Sequence, residues 1–308
     1  MEKGVFTSRK CGAFLVTLTI MLLMLLLAGC GGAPAPQSAA SEQKLAIRVA
    51  TDYRNDSIGY QQLQDFARLL QEKSENTIVV KPYSTGEWSQ PDSFIDYVKL
   101  GSVEMVCLEP AEMNQLQPAY ALYQQPYLFD SLQAVERYIS GEAGSKALRT
   151  LPQSYYGVGF VPDGYQYLMD DGQPQWLSYG ELKQKGQTKA LGDAVVYDLR
   201  AIYSLQPLVT LQSWWDELSQ EQQAWIQESF AEALAASFAQ QADKDPAQTL
   251  LSSGVVFQDN ATPGWQSYSG LYLNQRENYF AEHSDSLTAY WRPVVAEPPA
   301  SGEEDEAP

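Results

Sequence analysis

The chain has 308 residues, of which 44% are hydrophobic, and its formal net charge at pH 7 is −18. A surface with such an excess of carboxylates repels nucleic-acid phosphates, so nucleic acid is excluded as a partner. One histidine and three cysteines are too few for a zinc site, and we expect no metal and no cofactor.

The N-terminus has the organisation of a secretory signal. Three basic residues precede an apolar stretch, residues 13–28, that is shorter than the ~20 residues needed to cross a bilayer. The stretch runs into Leu27-Ala28-Gly29-Cys30, which resembles the bacterial lipobox, whose cysteine is acylated before the signal is removed. The sequence therefore predicts a signal peptide over residues 1–29 and a lipid such as palmitate on Cys30. The alternative is a plain signal peptide with an incidental cysteine.

Two segments have compositions that are typical of disorder. Residues 30–44 are rich in Gly, Ala, Pro and Ser and predict a flexible tether, and residues 296–308 predict an acidic tail. The body is expected to face the extracytoplasmic side of a cell membrane, in the periplasm or at the cell exterior, and to be anchored to that membrane through Cys30. Cys107 then has no disulfide partner and is expected to be buried.

The first predicted elements alternate between strand and helix. Leu45 to Ala50 is β-prone, and Asp56 or Ser57 can cap a helix with apolar residues at helical spacing. Thr77 to Val80 predicts a second strand that ends at Pro82. Strands that alternate with helices indicate an α/β fold with parallel-rich sheets, whose ligands bind beyond the carboxyl ends of the strands.

The later elements continue this pattern. Pro91 opens a helix that stops at Gly101, and Val103 to Leu108 predicts a third strand. Ser219 and Gln222 form a capping box at the start of a long helix. Val255 to Phe257 predicts another strand.

The order of several short segments resembles the solute receptor of tripartite ATP-independent periplasmic (TRAP) transporters, the DctP-like family that captures sialic acid and dicarboxylates. The segments lie between Leu45 and about Phe280, and they are Phe66-Ala67-Arg68, Val98 to Met105, Gln125 to Phe129 and Trp214 to Leu218. The resemblance implies a periplasmic-binding-protein-like fold of two lobes that is not an enzyme. It also implies a small organic acid-like solute, which is delivered to membrane permease subunits.

The chain departs from the family in its second lobe. The family's Gly-Leu-Lys-Ile-Arg strand, whose arginine grips the solute carboxylate, is replaced here by Gln184 to Thr188. The stretch from Gln187 to Asp198 is also much shorter than in the family. We therefore predict a first lobe, residues 45–160 and 206–250, and a reduced second lobe, residues 161–205 and 251–295.

Candidate site residues follow the predicted strands. Tyr53 and Arg54 lie in the turn after the first strand, at the edge of the sheet where ligands bind. Arg54 either binds an anion or lies in a solvated turn. The resemblance places Glu109 where the sialic acid branch has a ligand-facing glutamate, and this carboxylate would accept hydrogen bonds from hydroxyls or an amine.

Four further residues complete the predicted site. Trp88 follows the second strand, where it either stacks on a solute or packs in the core. Tyr165 and Gln166 follow the first strand between the lobes, and Gln166 stands where the sialic acid branch has an arginine. Arg200 is the guanidinium that could replace the lost clamp with a bidentate grip.

Catalysis has little support in the sequence. His283, the one histidine, lies in a polar run and is expected at the surface, so no Ser-His or Cys-His pair is indicated. The main alternative to a transport receptor is a lipoprotein that keeps the receptor fold but acts as a sensor or protein-interaction module.

Overall fold

The computed structural model describes residues 44–84, 86–87, 93–243 and 246–283. The predicted signal peptide, Cys30, Trp88 and the acidic tail lie outside these ranges. The described strands are β1 (Leu45–Ala50), β2 (Ile78–Tyr83), β3 (Met105–Cys107), β4 (Tyr155–Tyr165), β5 (Tyr167–Asp170), β6 (Pro174–Leu177), β7 (Val195–Tyr197) and β8 (Tyr203–Leu211).

Ten α-helices lie in the described part of the chain, with a 3₁₀ helix at Pro118–Gln124. The helices are α1 (Ile58–Lys73), α2 (Phe94–Lys99), α3 (Pro110–Leu116), α4 (Leu132–Ser140), α5 (Glu142–Leu148), α6 (Tyr179–Gln187), α7 (Gln212–Glu217), α8 (Gln220–Asp243), α9 (Pro246–Ser252) and α10 (Pro263–Glu282). None of the described helices is both long enough and apolar enough to cross a membrane.

The first sheet has five strands in the order β2-β1-β3-β8-β4. Strand β1 pairs in parallel with β2 and β3, whereas β8 pairs antiparallel with β3 and β4. The α/β class is therefore confirmed, but the prediction of parallel-rich sheets is correct only for the β2-β1-β3 half. The antiparallel half exists because the chain returns to this sheet from a second one.

The second sheet has three antiparallel strands in the order β6-β5-β7. Strand β4 leads into β5 through Gln166, and the chain returns from β7 to β8 through residues 198–202. The two crossing segments are joined where the Gln166 backbone N–H donates to the Ile202 carbonyl at 2.8 Å. The strand predicted at Val255 to Phe257 is wrong, because this segment forms a single bridge between Phe257 and Val196.

Local chemistry explains most of the element boundaries. Ser57 caps α1, its hydroxyl accepting from the Tyr60 N–H at 3.2 Å, as predicted. The capping box before α8 is also confirmed by reciprocal bonds between Ser219 and Gln222. Pro82 does not end its strand, because β2 is the edge strand of the sheet and an edge strand tolerates the missing N–H.

Alternating residues of the central strands fill two cores, one on each face of the first sheet. On β3, Val106 packs into one core while Met105 and Cys107 pack into the other. Cys107 is 1% exposed, and burial raises the pKa of its thiol far above the ordinary value. It is a free cysteine, as predicted.

Helix α10 ties the second sheet to the rest of the protein. Its Tyr268 donates to the Asp170 carboxylate on β5 at 2.6 Å. Its Tyr272 packs on Trp176 of β6, with 5.0 Å between the ring centroids. The Tyr127 hydroxyl and the Ser269 hydroxyl lie 3.1 Å apart, so α10 also contacts the segment after the 3₁₀ helix. The C-terminal end of the helix carries His283, which is exposed.

Candidate functional site

A cavity of about 710 Å³ opens between the two sheets. The first-sheet side contributes the turn after β1, the residues after β3, the 3₁₀ helix and the start of β8. The other side contributes β6, the first turns of α6 and two residues of α10. The volume of the cavity lies in the range of small-molecule binding sites, which is roughly 300 to 1,000 Å³.

Two carboxyl groups meet on the first-sheet side of the cavity. Asp52 follows β1 and Glu109 follows β3, so the parallel pairing of these strands brings them to one edge. The hydrogen bond with Asp52, assisted by burial, raises the pKa of Glu109 to about 8. Glu109 therefore keeps its proton near neutral pH.

Gln206 of β8 lies beside this pair. Its Nε2 donates to Asp52 Oδ1 at 2.8 Å, which fixes the orientation of the amide. The side chain is 4% exposed, and Oε1 has no hydrogen-bond partner in the part of the chain that the structure describes. The cavity wall thus contains an unused acceptor next to a carboxyl pair.

Arg54 is the one basic side chain among the described residues that line the cavity. Its Nε lies 3.0 Å from Asp56 Oδ1, and its Nη1 donates to Gln184 Oε1 of α6 at 3.0 Å. The guanidinium is therefore neutralised on its own side and already bridges the cavity to the opposite wall.

Asp163 of β4 is buried at the base of the cavity. Its Oδ1 accepts from the Gly59 N–H at 2.8 Å, and the carboxylate also accepts from the Ile58 N–H and the Ser57 hydroxyl. These groups form the N-terminus of α1, whose free N–H groups require acceptors. Burial nevertheless raises the pKa of Asp163 to about 6.

Most of the other polar and aromatic side chains that line the cavity already contact other parts of the protein. Glu181 of α6 accepts from the backbone N–H and the hydroxyl of Ser178 in a capping box. Tyr53 is 5% exposed and its hydroxyl donates to the Val161 carbonyl at 2.9 Å. The Trp176–Tyr272 pair forms an aromatic wall on the second-sheet side.

The predicted site residues are divided between two cavities. Tyr53, Arg54, Glu109 and Gln166 line the main cavity. Tyr165 and Arg200 line a second cavity of about 600 Å³ instead. Asp163 contributes to both cavities.

Arg200 does not line the main cavity, so it is not placed to bind a solute carboxylate there. Its side chain is 69% exposed, and its nearest charged partner is Asp198 at 3.7 Å. Its φ of 45° turns the backbone of the crossing segment through the left-handed region. The ligand-binding role of Arg200 in the main cavity therefore lacks a geometric basis, and any contact with solute would have to come through the second cavity.

The sequence interpretation did not select Asp52, Gln206 or Trp176 as site residues. Asp52 could have been found, because it lies in the same turn as Tyr53 and Arg54 at the end of a predicted strand. Gln206 and Trp176 had no local signal, since their positions depend on how β8 and β6 pair. Among the described residues, no group of three or more His, Cys, Asp or Glu side chains could hold a metal ion.

A family model described as "Bacterial extracellular solute-binding protein, family 7" (DctP) matches residues 49–170. No curated protein sequence matches the chain. Among solved structures, a TRAP periplasmic solute binding protein from Desulfovibrio desulfuricans with bound sn-glycerol-3-phosphate superposes with a TM-score of 0.68 at 15% identity. The match covers 81% of this chain and 98% of that one.

Two further structures are similar at comparable levels. The sugar acid binding protein DctPAm from Advenella mimigardefordensis, in complex with galactonate, has a TM-score of 0.64 at 16% identity, covering 82% of this chain and 99% of that one. A TRAP periplasmic solute binding protein from Shewanella oneidensis with bound succinate has a TM-score of 0.64 at 14% identity, covering 82% and 99%. At these identities the likeness is one of fold.

The fold is of the periplasmic-binding-protein type. Within that class the fold is that of the TRAP solute receptors, and the family 7 match over β1 to β5 confirms the resemblance seen in the sequence. The matched family and these structures are described as solute-binding proteins. The reduced second lobe stays a prediction.

Proposed function

We propose that this protein is the extracytoplasmic solute-binding lipoprotein of a TRAP-type transport system. It captures a small solute in the cavity between the two sheets and delivers it to membrane permease subunits. The observation that carries the proposal is the cavity itself, which receives side chains from both sheets and lies beyond the carboxyl ends of β1 and β3.

A solute in this cavity would contact both walls. A ligand that touches both sides of a cleft stabilises the closed arrangement over the open one, because only the closed form offers it all its contacts. The Arg54–Gln184 hydrogen bond already joins the two walls of the cleft, so it would be one of the contacts that hold the closed arrangement. Closure would then present a new surface to the permease.

A thermal-shift screen of organic acids, sugars and amines tests solute capture. A compound present at 100 times its dissociation constant is expected to add about 2.7 kcal/mol to the free energy of unfolding. No shift across the panel would contradict capture and favour the sensor or interaction module.

The lipid anchor is tested by replacing Cys30 with serine. We expect the unchanged protein to incorporate labelled palmitate and to fractionate with membranes, because an acylated cysteine holds the chain there. The Cys30→Ser protein should lose both properties, whereas Cys107→Ser, at the buried cysteine, should keep them. Equal labelling of the Cys30→Ser protein would show that the resemblance to the lipobox is incidental.

A further inference from the structure

The charges of the main cavity do not match those of an organic acid. Four acidic residues line it, namely Asp52, Glu109, Asp163 and Glu181, against the single arginine Arg54 among its described residues. A dicarboxylate entering this space would meet repulsion on most sides, because like charges repel strongly in a partly desolvated site.

Most of these charged groups already have partners within the fold. Asp163 accepts from the start of α1, Glu181 accepts from Ser178, and Arg54 is held by Asp56 and Gln184. These groups line the cavity but have little capacity left for a solute. The Asp52–Glu109 pair is the exception, since four carboxylate oxygens there share one internal hydrogen bond and one bond from Gln206.

The Oε1 atom of Gln206 gives an independent indication of the missing group. A buried acceptor without a donor is energetically unfavourable, so it marks a place where a donor is expected. Because Nε2 of the same amide is committed to Asp52, the amide cannot rotate to satisfy Oε1 from within. An incoming N–H group would satisfy it and would lie beside the carboxyl pair.

We propose that the solute carries a protonated amine, which binds between Asp52, Glu109 and Gln206. This inference rests on the proposed function and names the class of its solute. An ammonium group has three donors and no acceptor, so it can reach both carboxyl groups and Gln206 Oε1 together. The aromatic wall of Trp176 and Tyr272 then faces the rest of the solute from the other sheet.

A four-carbon series separates the amine from the acid. Putrescine, 4-aminobutyrate and succinate share a four-carbon chain and carry two amines, one amine with one carboxylate, and two carboxylates. Galactosamine and galactonate give the same comparison on a sugar frame. By isothermal titration calorimetry we expect amine-bearing members to bind and their acid counterparts to bind at least about tenfold more weakly.

Substitutions at the carboxyl pair locate the site. Glu109→Gln and Asp52→Asn keep the side-chain shape and should weaken binding of the amine about ten- to a hundredfold, because each removes a charge-assisted hydrogen bond. Glu142→Gln, at an exposed carboxylate of α5 that pairs with Lys146, is the matched control and should leave the affinity unchanged. Circular dichroism confirms that each variant is folded.

The outcomes separate this inference from the proposed function. Tighter binding of succinate or galactonate than of the amines would overturn the amine inference and leave the receptor function standing. Amine binding that survives both substitutions would place the solute elsewhere and overturn it as well. Failure of both series to bind overturns the amine inference, and a failure of the wider thermal-shift screen would then overturn the receptor function too.

Discussion

Replacing Asp163 with alanine is expected to lower the free energy of unfolding by about 2 to 3 kcal/mol at pH 7. The substitution leaves the Gly59 and Ile58 N–H groups and the Ser57 hydroxyl without their acceptor at a buried position. Each unsatisfied buried donor costs about 1 to 3 kcal/mol, partly relieved by water from the cavity. Urea denaturation measures the effect.

Asp163→Asn is the matched control for this prediction. Asparagine keeps an oxygen that can accept from the Gly59 N–H, so it should lose clearly less stability than alanine at pH 7. If both variants were equally stable, the contribution of the N-terminal cap of α1 would be smaller than the geometry implies.

The two variants should also differ from the original protein in their pH dependence. Since burial raises the pKa of Asp163 to about 6, the folded protein keeps a proton that the unfolded chain releases from about pH 4 upwards. The stability that this proton contributes is present below about pH 4 and is lost as the pH rises through 6. Asp163→Asn removes this slope, so the stability difference between it and the original protein should change across that window and be flat above about pH 7.

The first sheet could be predicted from the sequence because its signals are local. β-prone runs, the Ser57 cap and the spacing of apolar residues on α1 each involve neighbours in the chain. Pro82 was misjudged because the position of β2 at the edge of the sheet is a property of the whole fold. The same holds for the antiparallel pairing of β4 with β8, which joins segments far apart in sequence.

The candidate site was predictable to the extent that it lies at strand ends. Arg54 was found because it follows β1, and Glu109 because it follows β3 at a position where the family resemblance implies a ligand-facing glutamate. The carboxyl ends of these two strands share an edge. The charge balance of the cavity was not predictable, because it depends on which carboxylates are used inside the fold. Glu181 and Asp163 line the cavity but are occupied by helix N-termini, whereas Asp52 faces Glu109.

The affinity for a protonated amine is expected to rise as the pH increases from about 6.5 to 8.5. The hydrogen bond with Asp52 raises the pKa of Glu109 to about 8. Glu109 must lose its proton before both carboxylates can attract the amine. One proton released per solute bound gives at most a tenfold gain in affinity per pH unit. Putrescine stays protonated over this range, as alkylammonium groups have pKa values near 10.

Calorimetry at several pH values, in buffers of different ionisation enthalpy, measures both the affinity and the proton released. Other charged groups face the pair: Glu181 and Arg54 line the same cavity, and Asp163 has a pKa of about 6. The window above about pH 7 therefore separates Glu109 from Asp163. Glu109→Gln removes the proton of Glu109, so its weaker binding should be independent of pH from about 7 to 8.5. A slope that persists in this variant would mean that another group carries the proton, and a flat profile in the original protein would mean that the Asp52–Glu109 pair does not bind the amine.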